Sequence, residues 1–205
     1  MSFYGDHVLP RLIDVIMRAR DTHDIRAQVA SNLTGDVLEI GFGSGLNVPF
    51  YPPSVTRAYA LDPAEVGRKL AAGRVAASPV PVEYIGLDAQ RIPLADGSVD
   101  SVLTTWTLCT IPDPAQALAE VRRVLRPGGT LHFAEHGRSP DPKVARKQDL
   151  LEPIQQRVFG GCQLTRHIDQ LISASGLELA GLKTYYRPGP PSTSYTYEGQ
   201  ASKTG

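Results

Sequence analysis

The run Asp36-Val37-Leu38-Glu39-Ile40 ends directly in Gly41-Phe42-Gly43-Ser44-Gly45. A short apolar strand that turns through three alternate glycines constrains the fold of this chain more than any other segment. Glycine reaches positive φ without a Cβ penalty, and it lets the backbone approach a ligand closely. In an open α/β sheet such ligands sit outside the carboxyl ends of the strands.

The remaining chain supplies the rest of such a sheet. Further strands are predicted at 57–61, 82–85, 99–105 and 130–134, with helices at 64–77 and from about Pro114 to Leu125 between them. Arg126-Pro127-Gly128-Gly129 stops the second of these helices after a basic last turn. Strands alternating with helices imply βαβ units and a parallel sheet covered on both faces. A helix is predicted at 142–158 and another near 166–175, ending at Gly176. Two β-rich runs, 177–186 and 194–201, follow, separated by Arg187-Pro188-Gly189-Pro190-Pro191. That connection is too short and stiff for a helical crossover, so the last two strands should pair antiparallel. The expected fold class is α/β: a Rossmann-like, doubly wound sheet of seven strands, mostly parallel, with an antiparallel C-terminal hairpin. Ahead of it, residues 7–32 carry two helical patterns. In the first, Val8, Leu9, Leu12, Ile13, Ile16 and Met17 fall on one face, with Arg11, Asp14 and Arg18 opposite.

Composition narrows the function. With 21 basic and 21 acidic residues the formal net charge is zero, whereas nucleic-acid binders carry a basic excess to neutralise phosphates. The two cysteines, Cys109 and Cys162, show no metal-ligand spacing, so no metal site and a reducing compartment are expected. No segment reaches the ~18 apolar residues of a membrane span, and the first residues lack the pattern of a signal peptide. A cytoplasmic protein of unspecified oligomeric state, with a small-molecule partner and no nucleic acid, is the expectation. The length suits one domain over 1–205.

Two acids accompany the glycine loop. Asp62 ends the second strand, 21 positions after Gly41, where a carboxylate binds ribose hydroxyls. Asp88 follows the third strand and suits an adenine amine, although it could equally cap its own turn. The loop spacing is GxGxG, with Leu46 where a dinucleotide fingerprint has its third glycine, and there is no GxxxxGK[ST] motif. An NAD-dependent oxidoreductase is therefore the second choice.

Val37 to Gly45 resembles the first motif of class I S-adenosylmethionine (SAM)-dependent methyltransferases, and Leu61-Asp62-Pro63 resembles their second-strand acid. Ile92 to Asp100 and Glu120 to Gly129 are similar to the ubiquinone/menaquinone C-methyltransferase branch. The antiparallel final hairpin is also typical of the superfamily. The resemblance covers about residues 36–135 and implies SAM as cofactor, with S-adenosylhomocysteine as product. It implies that Glu39 orients the glycine loop or the cofactor amine, and that Gly41, Gly43 and Gly45 face its methionine part. Asp62 would then meet the ribose, Asp88 and Ala89 the adenine, and Pro63 the wall of the adenine pocket. Asn47 and Thr105, beside the loop and at the end of the fourth strand, join this cofactor set. Residues 1–35 would form a helical lid, 36–135 the cofactor-binding core, and 136–205 the substrate-side helices and hairpin.

Asn47 to Pro53, Thr107-Leu108-Cys109, Glu135-His136 and Gly161 to Arg166 look like the methyltransferase-like family that includes animal alkyl-thiol methyltransferases. Animal members carry an N-terminal membrane-associating segment, and this chain starts without one. The implied acceptor is a thiol, lipid-like or quinone-like small molecule. His136, after the fifth strand, is the candidate general base or substrate orienter, or else a histidine bonded to nearby backbone. Tyr4, Trp106, Cys109, Cys162 and Arg166 are candidate substrate residues, each with a packing alternative. The Arg122-Arg123 pair is expected on a solvated helix face. With no unambiguous base, a non-catalytic SAM-binding protein is the third hypothesis.

Overall fold

The computed structural model describes residues 8–204; Tyr4 and His7 lie outside them. Helices α1 (Leu9–Ile16) and α2 (Arg20–Ala30) precede β1 (Gly35–Ile40). A 3-10 turn at Val48–Phe50, β2 (Val55–Leu61), α3 (Glu65–Ala76), β3 (Val82–Gly86) and β4 (Val99–Thr105) come next. The chain continues through α4 (Pro114–Val124), β5 (Leu125–His136), α5 (Pro142–Val158), α6 (Ile168–Ala174) and β6 (Glu178–Tyr186). It ends with a single helical turn, α7 (Pro191–Ser194), and β7 (Tyr195–Ser202). The sheet order is β3-β2-β1-β4-β5-β7-β6. Strands β1 to β5 pair parallel, and β7 inserts antiparallel between β5 and β6. The seven-stranded α/β sheet and its C-terminal hairpin are as expected. No helix among the described residues is long and apolar enough to cross a membrane.

Side chains alternate across the sheet with the period of two that strands impose. Leu38, Ile40, Val102, Leu131 and Phe133 pack with Ala117, Leu118 and Val121 of α4 and with Ile168 and Ile172 of α6. Val37, Leu103, Ala134, Ala58 and Ala60 pack on the other face with Ile25, Val29 and Ala30 of α2 and Ala71 of α3. Strand order reverses between β1 and β4, so their carboxyl ends open a crevice.

Three local expectations need correction. In α1 the apolar face is turned outward: Leu12, Ile13, Val15 and Ile16 are exposed, while Asp14 is buried. Asp14 sits between Arg18 and Arg74, so ion pairing to α3 orients this helix. Strand β5 starts at Leu125 and continues through the Pro-Gly-Gly segment, because Leu125 pairs with Val99 before the main ladder begins at Thr130. Arg123 is no solvated surface residue. Its guanidinium donates to the Ile92 and Leu94 carbonyls at 2.9 and 2.7 Å, to Glu120 at 2.7 and 2.9 Å, and to Asp96 at 2.8 Å. The Glu120 carboxylate also accepts from Ile92 N at 2.9 Å, so α4 clamps the connection from β3 to β4. Arg123→Ala should therefore cost about 2 kcal/mol, since hydrogen bonds to charged groups are the stronger kind. That corresponds to a melting-point drop of roughly 4–8 °C by calorimetry, with the secondary-structure spectrum unchanged.

Candidate functional site

The glycine loop follows β1 with φ of 75°, 51° and 71° at Gly41, Gly43 and Gly45. The three glycines do different work. A Cβ on Gly41 would overlap Thr107, and one on Gly45 would press on Val48 and Ala71. A Cβ on Gly43 would meet only the Gly41 carbonyl, at 3.8 Å. Gly43 therefore offers the open backbone of the loop, while Gly45 is a packing position. Gly67 in α3 had no local signature, yet a Cβ there would stand 2.8 Å from the Gly43 carbonyl; helix and loop touch backbone to backbone there.

Asp62 braces this loop. Its carboxylate accepts from Gly43 N at 2.8 Å and Ala64 N at 2.7 Å, and burial raises its pKa. A carboxylate offers about four lone-pair sites, so two remain for a ligand. Pro63 and Asp88 are exposed beside it, and Asp88 Oδ1 accepts from both nitrogens of Gln90. Leu87, 63% exposed, adds an apolar surface at the end of β3. Ala89, by contrast, has its methyl group in the core with Leu61 and Ile92, so only its backbone is free to meet a ligand.

Beneath the loop lies a buried polar network. Glu39 is enclosed; it accepts from Tyr51 OH and, at 3.0 Å, from Asn47 Nδ2. Arg26 donates at 2.7 Å to both Asn47 Oδ1 and Thr105 Oγ1, and Asn47 Nδ2 reaches Thr105 at 3.0 Å. Asn47 and Thr105 thus form the floor of the cleft. Burial pushes Glu39 up to about 7 and pushes Arg26 down to about 10. Arg26 and Tyr51 were missed in the sequence. The signal for Arg26 was its place one turn after Thr22 and one turn before Ala30, on a stripe that is otherwise buried.

Trp106, after β4, is the one non-glycine residue at positive φ (52°) among the described residues. Two guanidinium groups lie over its ring, Arg26 at 4.9 Å and Arg187 at 5.2 Å from the centroid. Its Nε1 and the Nε of Arg26 are buried donors with no hydrogen-bond partner among the described residues. Buried donors are normally satisfied, so these two are exceptions among the enclosed groups of this region.

On the other side of Trp106, Glu135 is buried and accepts from Thr104 Oγ1 at 2.8 Å and Thr107 N at 3.0 Å. A longer contact from Cys109 N, at 3.3 Å, completes its hold on the loop after β4. Arg166 clamps the same loop through the carbonyls of Leu108 and Ile111, and its Nε goes to Gln163. Those bonds make Arg166 a brace of this loop, in line with the packing alternative to its candidate place on the substrate. His136 Nε2 lies 2.9 Å from Arg187 Nη2. A guanidinium can only donate, so Nε2 is the acceptor and the ring proton sits on Nδ1, facing Cys162 Sγ at 3.8 Å. The lone pair that a general base needs is thereby taken. Arg187 also pairs with Asp21 of α2 at 3.0 Å; the sequence showed it only as the first residue of a stiff turn. The ligand atoms of Cys109, His136 and Cys162 lie within 4.8 Å of one another. These residues come from three distant segments, so no local spacing could reveal the cluster. The proton on Nδ1 suits a hydrogen-bond donor to sulfur better than a metal ligand.

Glu39 sets a test. The folded chain keeps this proton up to about pH 7, while an unfolded Glu releases it near ~4.3. Unfolding in that window releases a proton, so this group lowers stability as pH rises through it. The melting temperature of wild type minus that of Glu39→Gln should fall between about pH 5 and 8; a constant difference would mean that Glu39 stays ionised throughout.

A family model described as "Methyltransferase domain" matches residues 38–133. The human thiol S-methyltransferase TMT1B is 40% identical over 136 residues, which cover 63% of this chain and 54% of that protein. A demethylmenaquinone methyltransferase of Clavibacter sepedonicus is 32% identical over 118 residues, covering 56% of this chain and 46% of its own length. The chain therefore matches about half the length of these curated relatives. A SAM-dependent methyltransferase structure from Thermotoga maritima superposes with a TM-score of 0.69 at 22% identity, over 98% of this chain and 100% of that one. Together with the glycine loop, the strand-end acids and the sheet order, these matches support a class I S-adenosylmethionine-dependent methyltransferase domain over residues 38–133.

Proposed function

We propose that this protein binds SAM across the ends of β1, β2 and β3 and transfers its methyl group to a small thiol. The observation that carries the reading is the cleft itself: the open backbone of Gly43, the half-buried Asp62, and the orphaned donors of Arg26 and Trp106. Those groups fit the parts of the cofactor. Asp62 holds ribose hydroxyls with its two remaining lone-pair sites. Arg26 and Trp106 Nε1 hold the α-carboxylate. Pro63 and Leu87 flank the adenine, and Asp88 accepts from its amine. When bound, SAM supplies a methyl group on a positively charged sulfur, open to in-line attack.

The thiol follows from two supports. One is the similarity to thiol S-methyltransferases. The other is the absence of a free base at His136, whose acceptor nitrogen is held by Arg187. A thiol of pKa ~8.5 ionises without strong assistance, whereas an alcohol needs a base. His136 is then a positioning residue, and the chain's work is to orient the acceptor and exclude water. Residues 36–135, together with Arg26 of α2, hold the cofactor in this reading, and the later helices form the acceptor side.

Calorimetry with SAM, S-adenosylhomocysteine and NADH, followed by methyl-labelled SAM with thiols, phenols and amines, tests the proposal. Micromolar-range SAM binding, no NADH binding and transfer to thiols are expected. NADH binding without SAM binding would overturn the cofactor; SAM binding without transfer to any acceptor would leave a binding protein. Asp62→Ala should weaken SAM binding by roughly 10–100-fold, the worth of charge-assisted hydrogen bonds, and should also lower the melting point because Gly43 N and Ala64 N lose their acceptor. His136→Asn should keep SAM affinity and slow all acceptors by a similar factor. A loss that grows with acceptor pKa would restore His136 as the base.

A further inference from the structure

We propose that Cys109 and Cys162 form a reversible dithiol–disulfide pair beside the carboxyl ends of β4 and β5, with Cys162 the sulfur that meets the oxidant. The proposal stands apart from the methyl-transfer reading, because it rests on the cluster alone. Their Sγ atoms are 3.6 Å apart, and the backbone is already in register: Gln163 N donates to the Cys109 carbonyl at 2.8 Å. Arg166 and Glu135 pin the same loop from both sides. Closing the sulfurs to a bond of ~2.05 Å therefore asks for side-chain rotation and little backbone movement.

The two thiols are not equivalent. Cys162 retains 5% of its surface and Cys109 1%, so a water-sized oxidant reaches Cys162 first. Arg187 holds His136 in the tautomer whose Nδ1–H faces Cys162. When the pair loses its first proton, the charge settles on Cys162, where the Cys109 S–H and the His136 N–H both donate to it; its pKa is lowered accordingly. The same contact raises Cys109, as do burial and the nearby Glu135. Low-pKa thiolates beside a resolving cysteine are the ones that oxidise reversibly.

The chemistry balances with hydrogen peroxide as the oxidant. The Cys162 thiolate attacks one peroxide oxygen, the O–O bond breaks, and hydroxide leaves, giving a sulfenic acid on Cys162. The Cys109 sulfur then attacks the Cys162 sulfur; the S–O bond breaks and the second oxygen leaves as water with the thiol proton. In sum two thiols lose two hydrogen atoms and one peroxide becomes two waters. A thiol reductant reverses it by exchange.

The experiment treats the reduced, folded protein with stoichiometric hydrogen peroxide, alkylates free thiols, and measures intact mass and non-reduced peptides. The expected result is loss of two hydrogen atoms, a single cross-link between Cys109 and Cys162, and full reversal by dithiothreitol. Oxidation should also raise the melting temperature, since the bond closes a long loop. Cys109→Ser should stop at a sulfenic acid on Cys162 that dimedone traps, while Cys162→Ser should leave Cys109 unmodified at the same dose. Two intact thiols in the wild type, irreversible oxidation of Cys162 without a cross-link, or a stoichiometric zinc ion that survives the peroxide would each overturn the pair.

Discussion

A carboxylate enclosed at the end of the first strand organises this molecule. Glu39 cannot be left without partners, because a buried polar group without hydrogen bonds is costly to the fold. Tyr51 and Asn47 donate to it from the ends of the 3-10 turn, and Arg26 of α2 in turn donates to Asn47. In doing so they fix where the chain goes after the glycine loop and where the N-terminal helices pack. Arg26 carries the constraint across to Thr105 and over the face of Trp106, so the ends of β1 and β4 share one network. A polar network of this kind specifies a single arrangement because every member has to be satisfied at once.

The same logic appears on the opposite face of β5. Glu135 points toward the α4 and α6 side and gathers the backbone of the loop after β4, while its neighbour His136 points to the α2 side and meets Arg187. One step along a strand reverses the face. Adjacent residues thus hold the two walls of the crevice, one by bracing a loop and one by linking the hairpin to the cysteines.

The sheet was legible because its signals are local. Strand β1 announces itself by its glycines, α4 by Asp113-Pro114 at its start, where Asp113 accepts from Gln116 N at 3.0 Å, and the hairpin by a connection too short for anything else. The acids at strand ends were legible for the same reason. What could not be read depends on which distant segments meet. The outward turn of α1 follows from Asp14 finding Arg74 of α3, sixty residues away in sequence. Arg187, Gly67 and the meeting of Cys109 with Cys162 likewise have no local signature, and Arg166 showed its charge but not the carbonyls it would serve. Glycine positions illustrate the limit well: all three in the loop share a positive φ, yet only their three-dimensional neighbours tell Gly43 from Gly45.

Trp106 is the chain's single tryptophan, and the guanidinium groups of Arg26 and Arg187 both lie over its ring, with its indole nitrogen enclosed. Arg26 is bonded to Asn47 and Thr105, and Arg187 to the histidine that faces the cysteines. Any event that draws either arginine away changes the electrostatic field across the same ring. The protein's indole emission therefore comes from one ring that both guanidinium groups face, so a change at either arginine should shift that emission without a label.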